Sequence, residues 1–309
     1  MIKQFKYKNV TWVDLTSPTQ EEVENISKEF KIHPVAAGEL RDISQRSKID
    51  IYDDFIYLIL YLPNHTNNTK IENTNDHNDV EIDFIIGKDF LVTTTYKEID
   101  SMQEFGKILE TNNLLEKDKK KTQAGYLFYY IIKHLYQSLE RNLQLINHNL
   151  KKAENQIFTG QEKEMVVVLS SINKKLLDFR GTLKSHQGVL ATLEASGQDF
   201  FGDKFNSYIL SIKNEFNKVW YALENSREYF NELRQTNESL LQIKTNEATK
   251  TFTMLAFITF PLSLLVAVFG LRTDGTPLID IKYGFWYLSG IIIALILLIL
   301  AYYKHKRWL

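Results

Sequence analysis

The chain of 309 residues contains no cysteine. That excludes a disulfide framework, a thiolate zinc site and a cysteine nucleophile. Proline is scarce at 5 and glycine at 13, which argues against a turn-rich sandwich or barrel. No proline falls between Pro63 and Pro261, so very long helices are permitted. Charge of one sign is not in excess either: 37 Lys and Arg stand against 38 Asp and Glu. That balance argues against a nucleic-acid binder driven by bulk charge. No G-x-G-x-x-G, P-loop or G-x-S-x-G is present, and the seven histidines show no HExxH spacing. An enzyme is therefore not expected. The opening MIKQFKYKNV has no apolar core of a signal peptide, so none is expected.

What is present is unevenly spread. The mean hydropathy of −0.25 suits a soluble protein, yet two segments depart from it. Phe252–Leu271 and Phe285–Tyr303 carry no charge. Each is close to the roughly 20 residues a helix needs to cross a bilayer core. Pro261 is compatible with a span where its freed carbonyl finds a partner. Lys244 and Lys250 precede the first run, and Lys304, Lys306 and Arg307 follow the second. The positive-inside rule then places both termini in the cytoplasm. Tyr283, Trp286 and Tyr287 at one end, with Tyr302, Tyr303 and Trp308 at the other, suit interfacial belts. The expected fold is an α+β cytoplasmic domain on a mostly antiparallel sheet, then a long stalk helix and a C-terminal two-helix hairpin in a cell membrane.

Short β-branched and aromatic runs at Val10–Leu15, Val80–Ile86 and Phe90–Thr95 read as strands, the last two joined as a hairpin through Gly87-Lys88-Asp89. A further strand is expected within Ile49–Leu62, and a polar loop over Asn64–Asn78. Ser17 reads as the cap of a helix opened by Pro18. From Thr122 to Gly197 apolar residues recur at helical spacing, with a break near Phe158-Thr159-Gly160, so an antiparallel helix pair is expected. Next comes a heptad seam. Ile209, Phe216, Leu223 and Phe230 fall on one position, and Ile212, Val219, Ser226, Leu233 and Leu240 on the other. The same frame then reaches Asn237, Lys244 and Glu247, so the seam turns polar before the apolar run. The expected divisions are 1–122, 123–204 for the helix pair, 205–251 for the stalk, 252–271 and 285–303 for the spans, 272–284 for the loop between them and 304–309 for a basic tail.

These residues carry a resemblance. His33-Pro34, Gln45-Arg46-x-Lys48 and Tyr52-Asp53-Asp54 are followed by Lys244-Thr245-Asn246-Glu247. Then come Pro261-Leu262, Phe269-Gly270, Lys282-Tyr283-Gly284 and a basic end closing on Trp308-Leu309. Over nearly its full length the chain resembles the CorA metal-ion transporter family. The resemblance implies a homopentamer in a lipid bilayer, moving divalent cations, Mg2+ foremost, through an axial pore with no covalent cofactor and no nucleic acid. It places Asn246, Thr249, Phe252, Ser263, Ala267 and Gly270 along the pore and the basic ring of Lys304, Lys306 and Arg307 at its cytoplasmic end. Mg2+ loses its water reluctantly, so neutral oxygens can select its hydrated form.

Two departures follow. The family signature Gly-Met-Asn at the outer mouth reads Gly270-Leu271-Arg272 here, with Asp274 close behind. Arginine offers only donors and a fixed positive charge. Either a ring of guanidinium groups opposes a cation, or each pairs with Asp274 or Asp280. Zinc or cobalt transport, or a non-conducting sensor or scaffold blocked at Arg272, are the alternatives this leaves. The family also binds regulatory ions between neighbouring cytoplasmic domains. Glu39 matches one such acid, but its stalk partner falls on Ser211, with Glu215 the nearest acid. Weakened or relocated ion sensing is expected.

Overall fold

The computed structural model describes residues 2–7, 9–44, 46–63, 79–110, 123–270 and 282–305. They fall into two compact units, residues 1–235 and 236–309. The expected loop at 64–78 lies outside the described residues.

The first unit holds a six-stranded sheet in the order β1-β2-β6-β5-β4-β3. The strands are β1 (Ile2–Tyr7), β2 (Val10–Thr16), β3 (Lys48–Ile51), β4 (Ile56–Pro63), β5 (Asp79–Ile86) and β6 (Phe90–Thr95). All pairings are antiparallel except β2 with β6. β4, β5 and β6 are almost wholly buried, so the apolar run of β4 lies inside together with acids of β5 and the threonines of β6. One face packs on α1 (Gln20–Glu29) and α2 (Pro34–Glu39) through Val13, Leu15, Val23, Ile26, Leu40, Ile59, Ile85 and Val92. The other face meets α4 (Ala124–Phe158), where Phe84 and Phe128 stand edge to face at 5.4 Å, and α5 (Glu162–Phe201). α3 (Asp100–Glu110) closes that side, its Phe105 edge-on to Trp12 at 5.8 Å.

Three local readings are corrected. The cap of α1 is Thr19, not Ser17: Thr19 and Glu22 form a reciprocal capping box. Ser17 adopts φ 46° and spends its hydroxyl on the Tyr96 carbonyl at 3.0 Å. The expected single strand within 49–62 is two, β3 and β4, turned at Tyr52–Phe55 with Tyr52 N–H bonded to the Phe55 carbonyl at 2.9 Å. β1 has no expected counterpart; its two lysines suit a charged sheet edge.

The helix pair forms. α4 stops at Gly160 (φ 97°) and α5 at Gly202 (φ 85°), conformations that glycine adopts without a Cβ penalty. After one 3-10 turn, α6 runs as a single helix from Asn206 to Gly270. Its residues 206–235 belong to the first unit. There Ile209, Ile212, Phe216, Val219, Leu223, Ser226, Phe230 and Leu233 are all buried, so the seam is a packing seam. Polar ties fix the packing: Tyr129 to Ser211 at 3.1 Å, Arg180 to Glu224 at 3.0 Å, and Tyr229 to Glu154 at 2.6 Å.

The second unit holds the rest of α6 and α7 (Gly284–His305). Both helices are long and apolar enough to cross a membrane, and no residue in the apolar window of α6 is fully buried.

Candidate functional site

The expected pore residues all stand on α6. A helix advances about 100° per residue, so Thr249, Phe252, Ser263, Ala267 and Gly270 fall within an arc of about 60°. Asn246 lies about 60° beyond Thr249 by the same count. All six are exposed, including Phe252 at 72%. Thr245 and Ala256 share the arc and are exposed as well. The resemblance does not supply them; the helical period alone finds them.

The opposite side of this stretch looks different. Met254, Ile258, Leu262 and Leu265 are half-buried, in one stripe at helical spacing. α7 has a matching stripe of Ser289, Ile292, Leu295, Ile296 and Ile299. This is the pattern each helix of a pair shows where it rests on the other. Residues 251–270 carry no charge. A single chain therefore leaves uncovered a face of α6 that is uncharged and, Phe252 apart, made of small and hydroxylated residues.

The hydroxyls on and beside this face are oriented alike. Thr245, Thr249, Thr253, Thr259 and Ser263 each donate to the carbonyl four residues earlier, at 2.8–2.9 Å. With the proton committed to the backbone, each oxygen shows outward only its lone pairs. Such oxygens accept from water, and the waters of a hydrated cation point their hydrogens outward. Pro261 removes one helical N–H, leaving the Phe257 carbonyl without its usual partner in the ladder. Lys250 is the last charge before Gly270.

The remaining expected residues are placed as follows. Leu271, Arg272 and Asp274 lie outside the described residues, as do Lys306 and Arg307. Lys304 is exposed in the last turn of α7. Glu39 ends α2, and its carboxylate pairs with Lys48, which also holds Asp50 at 2.8 Å. Burial works against the Lys48 ammonium, but the bonds to Asp50 and Glu39 outweigh it and raise its pKa. Ser211 is tied to Tyr129, and Glu215 pairs with Lys218 at 3.2 Å. The structure does not bring Glu39 and Ser211 into contact within one chain through any bond it describes. Among the described residues, no three or more His, Asp or Glu are gathered to hold a metal.

Comparison with known proteins agrees with this architecture. The family profile described as CorA-like Mg2+ transporter protein matches residues 7–305. The cobalt/magnesium transport protein CorA of Thermotoga maritima is 21% identical over 97% of this chain and 83% of its own length. The magnesium transport protein CorA of Wolinella succinogenes is 23% identical over 97% of this chain and 92% of its own. The solved CorA magnesium transporter from Methanocaldococcus jannaschii superposes with a TM-score of 0.82 at 19% identity, covering 99% of this chain and 93% of that one. The sheet, the long helix and the two C-terminal apolar helices are thus a shared fold. The chain belongs to the CorA-like Mg2+ transporter family.

Proposed function

We propose that this chain forms a homopentameric channel in the cell membrane, carrying divalent cations, Mg2+ first among them, along the uncovered face of α6. The observation that carries the reading is that face: a charge-free arc from Thr245 to Gly270 whose hydroxyl protons are bound to the backbone. Lining a closed ring, it offers neutral oxygens to a hydrated ion while Phe252 narrows the path. α7 faces lipid, with Phe285, Trp286 and Tyr287 at the outer interface. Both termini lie on the cytoplasmic side, where Lys304, Lys306 and Arg307 form the basic ring. Arg272 stands at the outer mouth, where its charge opposes a dication and slows entry.

The test is flux into liposomes loaded with a Mg2+-sensitive dye, beside the oligomer mass in detergent. Wild type should conduct, and Arg272→Asn should conduct about tenfold faster, the effect of removing roughly 1.4 kcal/mol of repulsion. A monomeric mass, or no flux in either protein, would overturn the reading.

A further inference from the structure

The sheet face under α2 carries a buried polar cluster that the transport reading does not use. Asp83 stands on β5, opposite Ile59 of β4 and Thr94 of β6, and is fully buried. Its Oδ1 has no hydrogen-bond partner. Glu81, two residues earlier on the same face, is also buried. Tyr57 and Tyr61 of β4 face them, as does Tyr96 after β6. From above come Glu39 of α2, Asp42 beyond it, and Lys48 and Asp50 of β3. Lys48 is held by Glu39 and Asp50, while Arg46, Lys97 and Asp79 line the cleft beside Glu81 and Tyr96.

Two buried carboxylates on one strand face cannot both ionise cheaply, and a proton is the least costly relief. The bonds decide which one takes it. Glu81 accepts from the Tyr61 hydroxyl and, at 3.0 Å, from the Ser44 N–H. Those donors satisfy its oxygens. Asp83 has the Tyr96 hydroxyl at 3.2 Å as its donor and the Glu81 carboxyl beside it, with which it can share one proton. Burial, and then the charge of Glu81, hold the Asp83 carboxyl well above the usual carboxylate range.

Tyr96 has one proton and three acceptors. Its hydroxyl lies 3.2 Å from Asp83 Oδ2, 3.2 Å from the Asp42 carbonyl and 3.5 Å from the Glu39 carbonyl. We propose that Asp83 and Tyr96 form a proton-operated latch on the stretch after α2. With a proton held between Asp83 and Glu81, the Asp83 oxygen facing Tyr96 is only a weak acceptor, and Tyr96 donates to the Asp42 and Glu39 carbonyls, tying that stretch to the sheet. When Asp83 loses its proton to water, the carboxylate is the stronger acceptor and takes the Tyr96 hydroxyl. The two carbonyls are then released, while Ser44 stays anchored by Tyr61 and Glu81. A cleft of about 500 Å³ lined by Tyr61, Glu81, Tyr96, Arg46 and Thr182 gives water its route to the cluster.

The latch is tested on the full-length protein in detergent, by infrared spectroscopy and by amide hydrogen exchange over residues 39–43. At neutral pH the wild type should show the carbonyl band of a neutral carboxylic acid, and Asp83→Asn should lack it. In the wild type, exchange over 39–43 should rise roughly fivefold from mildly acid to mildly alkaline pH, beyond the intrinsic change of the chemistry. Asp83→Asn, which stays neutral at every pH, should stay protected. Tyr96→Phe should exchange fast throughout. A band that persists in Asp83→Asn, or identical pH profiles in wild type and Tyr96→Phe, would overturn the latch. The second comparison stands even if Asp83→Asn does not fold.

Discussion

His186 is a buried side chain whose neutral form the fold of the first unit satisfies. It is fully buried on α5, with Nε2 2.7 Å from the Tyr61 carbonyl and Nδ1 3.1 Å from the Tyr136 hydroxyl. A carbonyl only accepts, so Nε2 carries the hydrogen, and Nδ1 accepts from Tyr136. The neutral ring is therefore satisfied, and Phe216 covers it at 6.2 Å between centroids. A second proton would leave Nδ1–H facing a hydroxyl in apolar surroundings. Burial pulls the pKa down from 6.5 to about 4. The unfolded chain thus binds the proton first as pH falls. Stability is whole above the unfolded pKa and declines between about 6.5 and about 4, by about 3 kcal/mol in all. His186→Gln offers an N–H to Tyr61, an oxygen to Tyr136 and no titrating proton. Thermal unfolding over this pH range should lose most of its slope in that variant. An unchanged slope would mean that other groups set the acid limit.

α6 separates what can be read from a sequence from what cannot. Its heptad seam is legible because burial repeats with the helical period, and the same period orders the arc proposed to line the pore. Their stability roles differ. Leu223 is fully buried, so Leu223→Ala should cost about 2–5 kcal/mol in denaturant unfolding of the full chain. Thr249 is exposed with its hydroxyl bonded only to its own helix, so Thr249→Ala should change stability by about 0.5 kcal/mol or less while altering ion flux. Equal costs would refute the division of the helix into a packing part and a lining part. Other elements resisted reading. Ser17 and Thr19 are both good caps, and only the Glu22 carboxylate returning to Thr19 N–H decides between them. β1 is half polar and becomes a strand because β2 offers it an edge. The Asp83 cluster is invisible in sequence, since its members are gathered from separate strands and α2 by the sheet register.

At the scale of the whole molecule the uncovered face of α6 demands a cover, and a second copy of the same face is the cover proposed here. The absence of cysteine makes this directly measurable, because any introduced thiol is the only one in the chain. Cysteines at Thr249, Ser263 and Ala267 belong to the arc; one at Ile258 belongs to the half-buried stripe on the other side. In the proposed ring, equivalent arc positions would approach one another, whereas stripe positions would face away from the axis. Mild oxidation should therefore link Ser263→Cys and Ala267→Cys into covalent dimers within the oligomer and leave Ile258→Cys monomeric on a denaturing gel. A small charged thiol reagent added to liposomes should block flux through Ser263→Cys by about tenfold or more and spare Ile258→Cys. A charge fixed in a low-dielectric passage repels a dication by several kcal/mol, far beyond its effect in open water. The reverse pattern, with Ile258→Cys linked and blocked, would put the pore on the other face of α6 and remove Thr249, Ser263 and Ala267 from it.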